Sequence, residues 1–221
     1  MSDVLSQSTD AESSMIVLDN IEQFTLSEKD EIQNKKTGFI NNTLSKIDSC
    51  DKKLSNYIHT LELNNLLENI IYIFARLFNP DIMTIFYVLV ILYQAIFNKN
   101  FFFVIKPLIH LTVVLIISTI LKSSFKRPRP EIITNVKRLH NLRKKEKNFS
   151  MPSGDSMQAA NFAIVALFYF NISFLGFLII PFVMFARIFY FCHYFFDTLV
   201  GALIGGGVSL GLVFPLKKLN L

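Results

Sequence analysis

Residues 156–216 read SMQAANFAIVALFYFNISFLGFLIIPFVMFARIFYFCHYFFDTLVGALIGGGVSLGLVFPL. The only strongly ionisable side chains in this apolar stretch are Arg187, His193 and Asp197. A charged group at bilayer depth costs about 2.5–3.5 kcal/mol, so such residues are candidates for a functional site. One crossing needs only about 20 residues. We therefore predict three membrane spans in this part of the chain, at about residues 156–171, 174–191 and 195–214.

Two further apolar runs precede this stretch, at residues 81–98 and 101–121, and Asn98-Lys99-Asn100 separates them. Residues 57–78 place apolar side chains at three- and four-residue intervals opposite a polar face, which predicts an amphipathic helix lying on the membrane. Of the 221 residues, 52% are hydrophobic. The predicted fold class is therefore all-α, a polytopic transmembrane helical bundle of five to six membrane helices.

The N-terminal part of the chain differs in composition from the rest. Residues 1–55 are polar and mixed in charge, which predicts a flexible tail before a membrane domain at residues 56–221. The tail lacks a basic segment followed by an apolar one, so we expect no cleaved signal peptide. Cys50 and Cys192 lie in different predicted environments, so we expect two free thiols, with Cys192 as a buried structural residue.

The loop from Lys122 to Pro152 carries ten of the 22 Lys and Arg side chains, Lys122 included. Because this basic excess lies between apolar segments, it argues against nucleic-acid binding and favours a cytosolic loop. The spans at 156–171 and 174–191 form a hairpin that returns the chain to the side of this loop. We therefore expect the polar clusters to meet on one membrane face. The Asn148-Phe149-Ser150 sequon offers a test, since its glycosylation would place the loop outside the cytosol.

Two of the polar clusters lie in or beside this loop. Lys122 and Arg129 can neutralise a bound phosphate, although juxtamembrane basic residues also meet anionic lipid headgroups. Pro152-Ser153-Gly154-Asp155 directly precedes a helix, whose N-terminus favours anions. Ser153 adds a hydroxyl donor, and Gly154 lets the backbone approach a ligand. The alternative for this second cluster is simple helix capping by Ser153 or Asp155.

The third cluster is Arg187, His193 and Asp197. On a helix, residues four apart share one face, so Asp197 can bond one imidazole nitrogen of His193 and leave the other free to attack. Arg187 would hold the phosphate under attack. The alternative is a buried, salt-bridged polar network without a catalytic role.

Together the clusters resemble the signature of the type-2 phosphatidic acid phosphatase and haloperoxidase superfamily. That pattern is Lys, six residues, Arg-Pro; then Pro-Ser-Gly-His; then Ser-Arg, five residues, His, three residues, Asp. Lys122 and Arg129-Pro130 match the first motif, and Pro152-Ser153-Gly154 matches most of the second. Arg187, His193 and Asp197 match the third at full spacing. The resemblance covers about residues 80–214 and lies nearest the lipid phosphatases, including those that act on polyisoprenoid diphosphates.

This resemblance implies a hydrolase that acts on lipid phosphates in the membrane without a metal or other cofactor. It implies that His193 is the nucleophile that forms a phosphohistidine and that Asp197 orients it. The residues implied to bind the substrate phosphate are Lys122, Arg129, Ser153, Gly154 and Arg187. We expect an integral protein of the endoplasmic reticulum or another endomembrane, with its active site facing the cytosol.

Two positions depart from the family pattern. Ala186 replaces a serine, and Asp155 replaces the histidine that in the family protonates the leaving group. A protonated Asp155 can still donate a proton. A phosphate leaving group needs less acid assistance than an alkoxide, so the substitution predicts a preference for lipid diphosphates such as isoprenoid diphosphates. Two other functions are alternatives to a lipid phosphatase. One is a catalytically inactive relative that binds phospholipid or scaffolds other proteins, and the other is a transferase of phospho-headgroups.

Overall fold

The computed structural model describes residues 37, 41–93, 96–97, 102–133, 135–171 and 174–218. Most of the predicted flexible tail, the Asn98-Lys99-Asn100 separator and Ser173 at the predicted turn lie outside the described residues. The chain divides into two compact units, Met1–Cys50 and Asp51–Leu221. In the first unit, residues 41–50 are helical.

The second unit is helical throughout its regular structure in the described residues, which confirms the predicted all-α class. In the described part of this unit, two short 3₁₀ turns, Arg143–Lys145 and Phe174–Leu178, accompany seven α-helices. These helices are α1 (51–59, the part of the helical run 41–59 that belongs to this unit), α2 (Asn65–Leu77), α3 (Pro80–Tyr93), α4 (Phe102–Phe125), α5 (Gly154–Phe170), α6 (Ile179–Phe189) and α7 (Phe195–Lys218).

The segment predicted as one amphipathic helix at residues 57–78 is divided in the structure. Helix α1 ends at His59, and residues 61–64 have no regular structure. The break has a local cause, because the Asn64 side chain accepts a hydrogen bond from the Leu67 N–H at 2.9 Å and so caps α2. Residues 51–55, which composition assigned to the tail, belong to α1 and to the second unit.

Among the described residues, two helices are long and apolar enough to cross a membrane, at Val104–Phe125 and Phe195–Lys218. Helices α2 and α3 pass the same test only as a pair, and they bend by 73° where they join. Helix α5 has 17 residues and is largely buried inside the protein, between α4, α6 and α7. Its apolar composition therefore serves contacts with other helices as well as with lipid.

Helices α5 and α7 approach each other closely at two glycines. A Cβ built on Gly201 would lie 2.5 Å from the Ser153 carbonyl oxygen, and one built on Gly205 would lie 2.6 Å from the Met157 Cα. Small residues that let backbones approach are typical of packed membrane helices. Because Ser153 and Met157 belong to the start of α5, these glycines fix the second polar cluster against α7.

We expect Gly205→Ala to destabilise the protein by at least about 1–3 kcal/mol, because the methyl group meets backbone that cannot move aside. Gly207→Ala is the matched control, since a Cβ there meets nothing within 4 Å. Thermal unfolding in detergent measures the difference. Equal melting temperatures for the two variants would contradict the close approach of α5 and α7.

Candidate active site

Two arginines from different motifs hold the same carboxylate. Arg129 Nη2 lies 2.8 Å from one oxygen of Glu146, and Arg187 Nη2 donates to the other. Burial alone would raise the pKa of the Glu146 carboxyl, but the charges of Arg187 and Arg129 outweigh it and lower the pKa to about 2. Glu146 is therefore an anion at neutral pH. Its carboxylate occupies the place between Arg129 and Arg187 where the sequence motifs predict a bound phosphate.

Arg129 is fixed from three sides. Its Nε donates to the Asn148 carbonyl oxygen at 2.8 Å, its Nη2 donates to the Asn148 side-chain oxygen, and its Nη1 donates to the Cys192 carbonyl oxygen at 2.6 Å. These bonds tie the basic loop to the segment before α7. Asn148 is the sequon asparagine; its side-chain oxygen accepts from Arg129, and the residue is exposed.

A tight turn at the C-terminal end of α6 leads the chain to His193. The Phe191 N–H donates to the Ile188 carbonyl at 2.8 Å, and the Cys192 N–H donates to the Arg187 carbonyl at 3.0 Å. This is a Schellman pattern, in which the residue after the cap adopts a left-handed conformation and is usually glycine. Here that residue is Phe191, with φ 58°. A non-glycine residue in this region stores strain of about 1–3 kcal/mol, a feature that clusters at functional sites.

The His193 ring lies next to Arg129 and is fully buried. Its Nε2 is 3.4 Å from Arg129 Nη1. Arginine can only donate, so this contact favours Nε2 as the acceptor and places the ring proton on Nδ1. Burial, followed by the charges of Arg129 and Arg187, lowers the pKa of His193 well below its usual range. The ring is therefore neutral at pH 7, as a nucleophile must be.

Asp197 lies on the Nδ1 side of this ring, with its Oδ2 3.8 Å from Nδ1. The shared helical face predicted for the two residues is wrong in one respect, because His193 precedes α7 and only Asp197 lies in its first turn. The carboxylate is held by two other donors. Arg127 Nη1 lies 2.7 Å from Oδ1, and the Tyr194 N–H donates to Oδ2 at 2.9 Å.

The remaining predicted phosphate ligands border the same cluster. Lys122, at the end of α4, interacts electrostatically with Arg129, Arg187, Glu146 and Asp155. We call Lys122, Arg129 and Arg187 the cation cradle. Its three members come from α4, the basic loop and α6, so the fold brings together charges that are up to 65 positions apart in the sequence.

Ser153 and Gly154 lie where α5 begins. Ser153 is the N-cap residue, and its hydroxyl oxygen accepts from the Ser156 N–H at 3.4 Å and from the Ser156 hydroxyl at 3.1 Å. Ser153 therefore caps helix α5, which was the alternative to phosphate binding for this residue. A Cβ on Gly154 would lie 3.2 Å from the Ser118 hydroxyl, so this position packs tightly against α4. Phosphate binding by these two residues remains a prediction.

Asp155 is paired with the cradle rather than free. Its Oδ2 lies 3.1 Å from Arg187 Nη2, whereas its Oδ1 has no hydrogen-bond partner among the described residues. Arg187 Nε is likewise buried without a partner in the described part of the chain. Buried polar groups are normally hydrogen-bonded, and exceptions concentrate at functional sites.

Cys192 does not compete with His193 as a nucleophile. Its thiol is fully buried and free of any disulfide, as the sequence predicted, and its Sγ lies 3.5 Å from the Tyr190 carbonyl oxygen. Burial raises the pKa of the Cys192 thiol to about 11. The reactive thiolate is therefore a negligible fraction at neutral pH.

Sequence reasoning missed two residues of this site, Glu146 and Arg127. Glu146 is one of only two carboxylates in the basic loop, so its position among cations was the available signal. Arg127 begins a second Arg-Pro pair, Arg127-Pro128, directly before the matched Arg129-Pro130. Its contact with Asp197 could not be inferred, because motif spacing gives no information about this additional pair.

Comparisons with known proteins agree with the helical fold described above. The chain resembles the crystal structure of a transmembrane PAP2-type phosphatidylglycerolphosphate phosphatase from Bacillus subtilis, with a TM-score of 0.63 and 19% identity over 78% of this chain and 87% of the other. It also resembles the crystal structure of Aquifex aeolicus LpxE, with a TM-score of 0.56 and 24% identity over 73% and 93% of the two chains. No curated protein matches the chain. The family model described as PAP2 superfamily matches residues 103–218, so the chain belongs to the PAP2 superfamily.

Proposed function

We propose that the chain is an integral membrane lipid phosphatase that cleaves a lipid diphosphate in preference to a monoester, through a phosphohistidine intermediate. The observation that carries the proposal is the Glu146 carboxylate held by Arg129 and Arg187 beside the His193 ring. Guanidinium groups that bind a carboxylate through paired hydrogen bonds also bind phosphate oxygens in the same way. One similar structure is a phosphatidylglycerolphosphate phosphatase, which supports a phosphorylated lipid as the substrate class.

In the first proposed step, the substrate phosphate replaces the Glu146 carboxylate in the cation cradle. A phosphate carries more negative charge than a carboxylate and has more acceptor oxygens, so it satisfies more of the cradle's donors. Arg187 Nε, which has no partner among the described residues, is positioned to donate to it. The Nε2 lone pair of His193 then attacks phosphorus, and the bond from phosphorus to the leaving-group oxygen breaks with its electron pair on that oxygen.

In the second proposed step, water attacks the phosphohistidine, and the bond from phosphorus to Nε2 breaks. The products are inorganic phosphate and the neutral ring. Asp197 stabilises the positive charge that the ring carries while phosphorus is bonded to it. The 3.8 Å separation of Nδ1 and Oδ2 shortens as that charge develops, since catalytic hydrogen bonds tighten in the complex.

Asp155 supports the substrate preference. Asp155 Oδ2 is held by Arg187 at 3.1 Å, and although burial raises the pKa of this carboxyl, the pairing leaves it less free than a histidine to protonate a leaving alkoxide. A lipid phosphate released from a diphosphate is already a stable anion and needs no proton. The residue that replaces the family histidine therefore suits a diphosphate substrate.

We expect purified protein in detergent to release phosphate from farnesyl diphosphate at least about tenfold faster than from phosphatidic acid, as kcat/KM. Asp155→His restores the family residue and should raise the rate on phosphatidic acid relative to farnesyl diphosphate. Both assays use the same detergent and the same substrate mole fraction. A wild-type preference for phosphatidic acid would contradict the proposed substrate class, and no release from either substrate would contradict the phosphatase itself.

A further inference from the structure

Helix α1 presents a polar stripe to the protein interior. Asp51, Ser55 and His59 follow one another at four-residue spacing, and each is at most 1% exposed. Lys52, Lys53, Leu54, Asn56 and Tyr57, which lie between them, are exposed. Residues four apart share one helix face, so the buried stripe is continuous. It lies outside residues 103–218, which the family model matches.

The first two members of the stripe cap helix α7. The Phe195 N–H donates to the Ser55 hydroxyl oxygen, and the Phe196 N–H donates to Asp51 Oδ1, both at 2.9 Å. The first N–H groups of a helix have no partner within that helix and must be satisfied from outside it. Here the partners come from a helix about 140 positions away in the sequence. The cap lies at the turn of α7 that carries Asp197.

Asp51 also reaches Asp197 through an arginine. Arg127 Nη2 lies 2.7 Å from Asp51 Oδ2, and Arg127 Nη1 lies 2.7 Å from Asp197 Oδ1. One guanidinium is thus shared between two buried carboxylates. If Asp51 lost its charge, Arg127 would keep only one of its two carboxylate partners, and its attraction for Asp197 would compete more strongly with the contact between Asp197 and the His193 ring.

The third member, His59, packs on the turn that precedes His193. Its ring stacks on Phe191, with the ring centroids 4.5 Å apart and the planes at 27°. Burial, together with the charge of Arg138, lowers the pKa of His59 to about 4, so the stacked ring is neutral. Arg138 donates to the His59 and Phe189 carbonyls, at 2.6 and 3.2 Å, and thereby ties the end of α1 to α6. This packing supports the left-handed conformation of Phe191.

We propose that Asp51 is a positioning residue for the proposed phosphatase reaction, acting through Arg127 on the orientation of Asp197. Ser55 and His59 complete the same support by holding the start of α7 and the turn at Phe191. The catalytic unit therefore begins at α1, ahead of the family-matched region. This inference rests on the proposed function.

The test is Asp51→Asn in the full-length protein. The asparagine oxygen still accepts from the Phe196 N–H, but its amide group opposes Arg127 and the ion pair is lost. We expect kcat on farnesyl diphosphate to fall about 10- to 100-fold while KM and inhibition by inorganic phosphate change less than about twofold, because the cation cradle is untouched. Asp81→Asn is the matched control, since this exposed carboxylate on α3 has no contact with the site.

Several outcomes would overturn the proposal. An unchanged kcat for Asp51→Asn would overturn it, whatever the melting temperature of the variant. A parallel loss of kcat and phosphate inhibition would show general disruption instead of positioning. If Asp51→Asn does not fold, kcat, KM and phosphate inhibition are measured for Asp51→Glu instead. This variant keeps the charge but moves it by one methylene, and the same outcomes overturn the proposal. A wild-type protein without phosphatase activity would overturn both this proposal and the proposed function. An active wild type, together with an Asp51→Asn variant of unchanged kcat, would overturn only the positioning role of Asp51.

Discussion

Replacing His193 with alanine is expected to lower phosphate release by at least about 1,000-fold, because no other described side chain can take over as the attacking atom. Cys192 lies next to it, but burial raises the pKa of its thiol to about 11. The cation cradle remains in the variant, so phosphate still binds. His140→Ala is the matched control, since this histidine lies in the basic loop against Asn69 and Tyr72.

The same variant tests the covalent intermediate. Brief incubation of the wild type with substrate labelled at the terminal phosphate should leave label on the protein that resists alkali and is lost in acid, as expected for a phosphohistidine. The label should be absent from His193→Ala and present in His140→Ala. Label retained by His193→Ala would place the covalent step on another residue, and an active His193→Ala would rule out the proposed mechanism.

The sequence was informative about the site because its motifs lie at the ends of recognisable apolar helices. Lys122 ends one apolar run, and Arg187 and His193 end another, so counting spans was enough to predict that they meet. The structure brings these residues together around Glu146. The length of each apolar run indicates where its helix ends. The prediction that the three polar clusters lie on one membrane face depended only on those helix ends.

Other features could not be predicted because they depend on tertiary contacts of polar segments. Glu146 lies in a loop whose path is set by hydrogen bonds from Arg129 to Asn148, and no periodic pattern encodes those bonds. Asp51 was assigned to the tail because the composition around it is polar. The burial of one stripe of α1 becomes apparent only when α7 and Arg127 are in place.

Replacing Arg187 with glutamine is expected to cause the second large loss, in both stability and activity. Arg187 is 1% exposed, and its Nη2 pairs with Glu146 and with Asp155. Removing it leaves the buried Asp155 carboxylate without its cation and the half-buried Glu146 held by Arg129 alone, and breaking such a buried pair costs about 3–5 kcal/mol. Removing one electrostatic donor to the reacting phosphate lowers kcat by about 100- to 1,000-fold.

A second substitution separates these two effects. Arg187→Gln combined with Glu146→Gln removes one of the two carboxylates, so the melting temperature should recover towards that of the wild type. Phosphate release should not recover, because the glutamine at position 187 still offers no cation to the substrate. Arg187→Lys keeps a charge but cannot present the planar fork of donors, so its activity should stay well below the wild type. Activity restored in the double variant would mean that Arg187 serves only to neutralise Glu146, and that the substrate phosphate is bound by Lys122 and Arg129 alone.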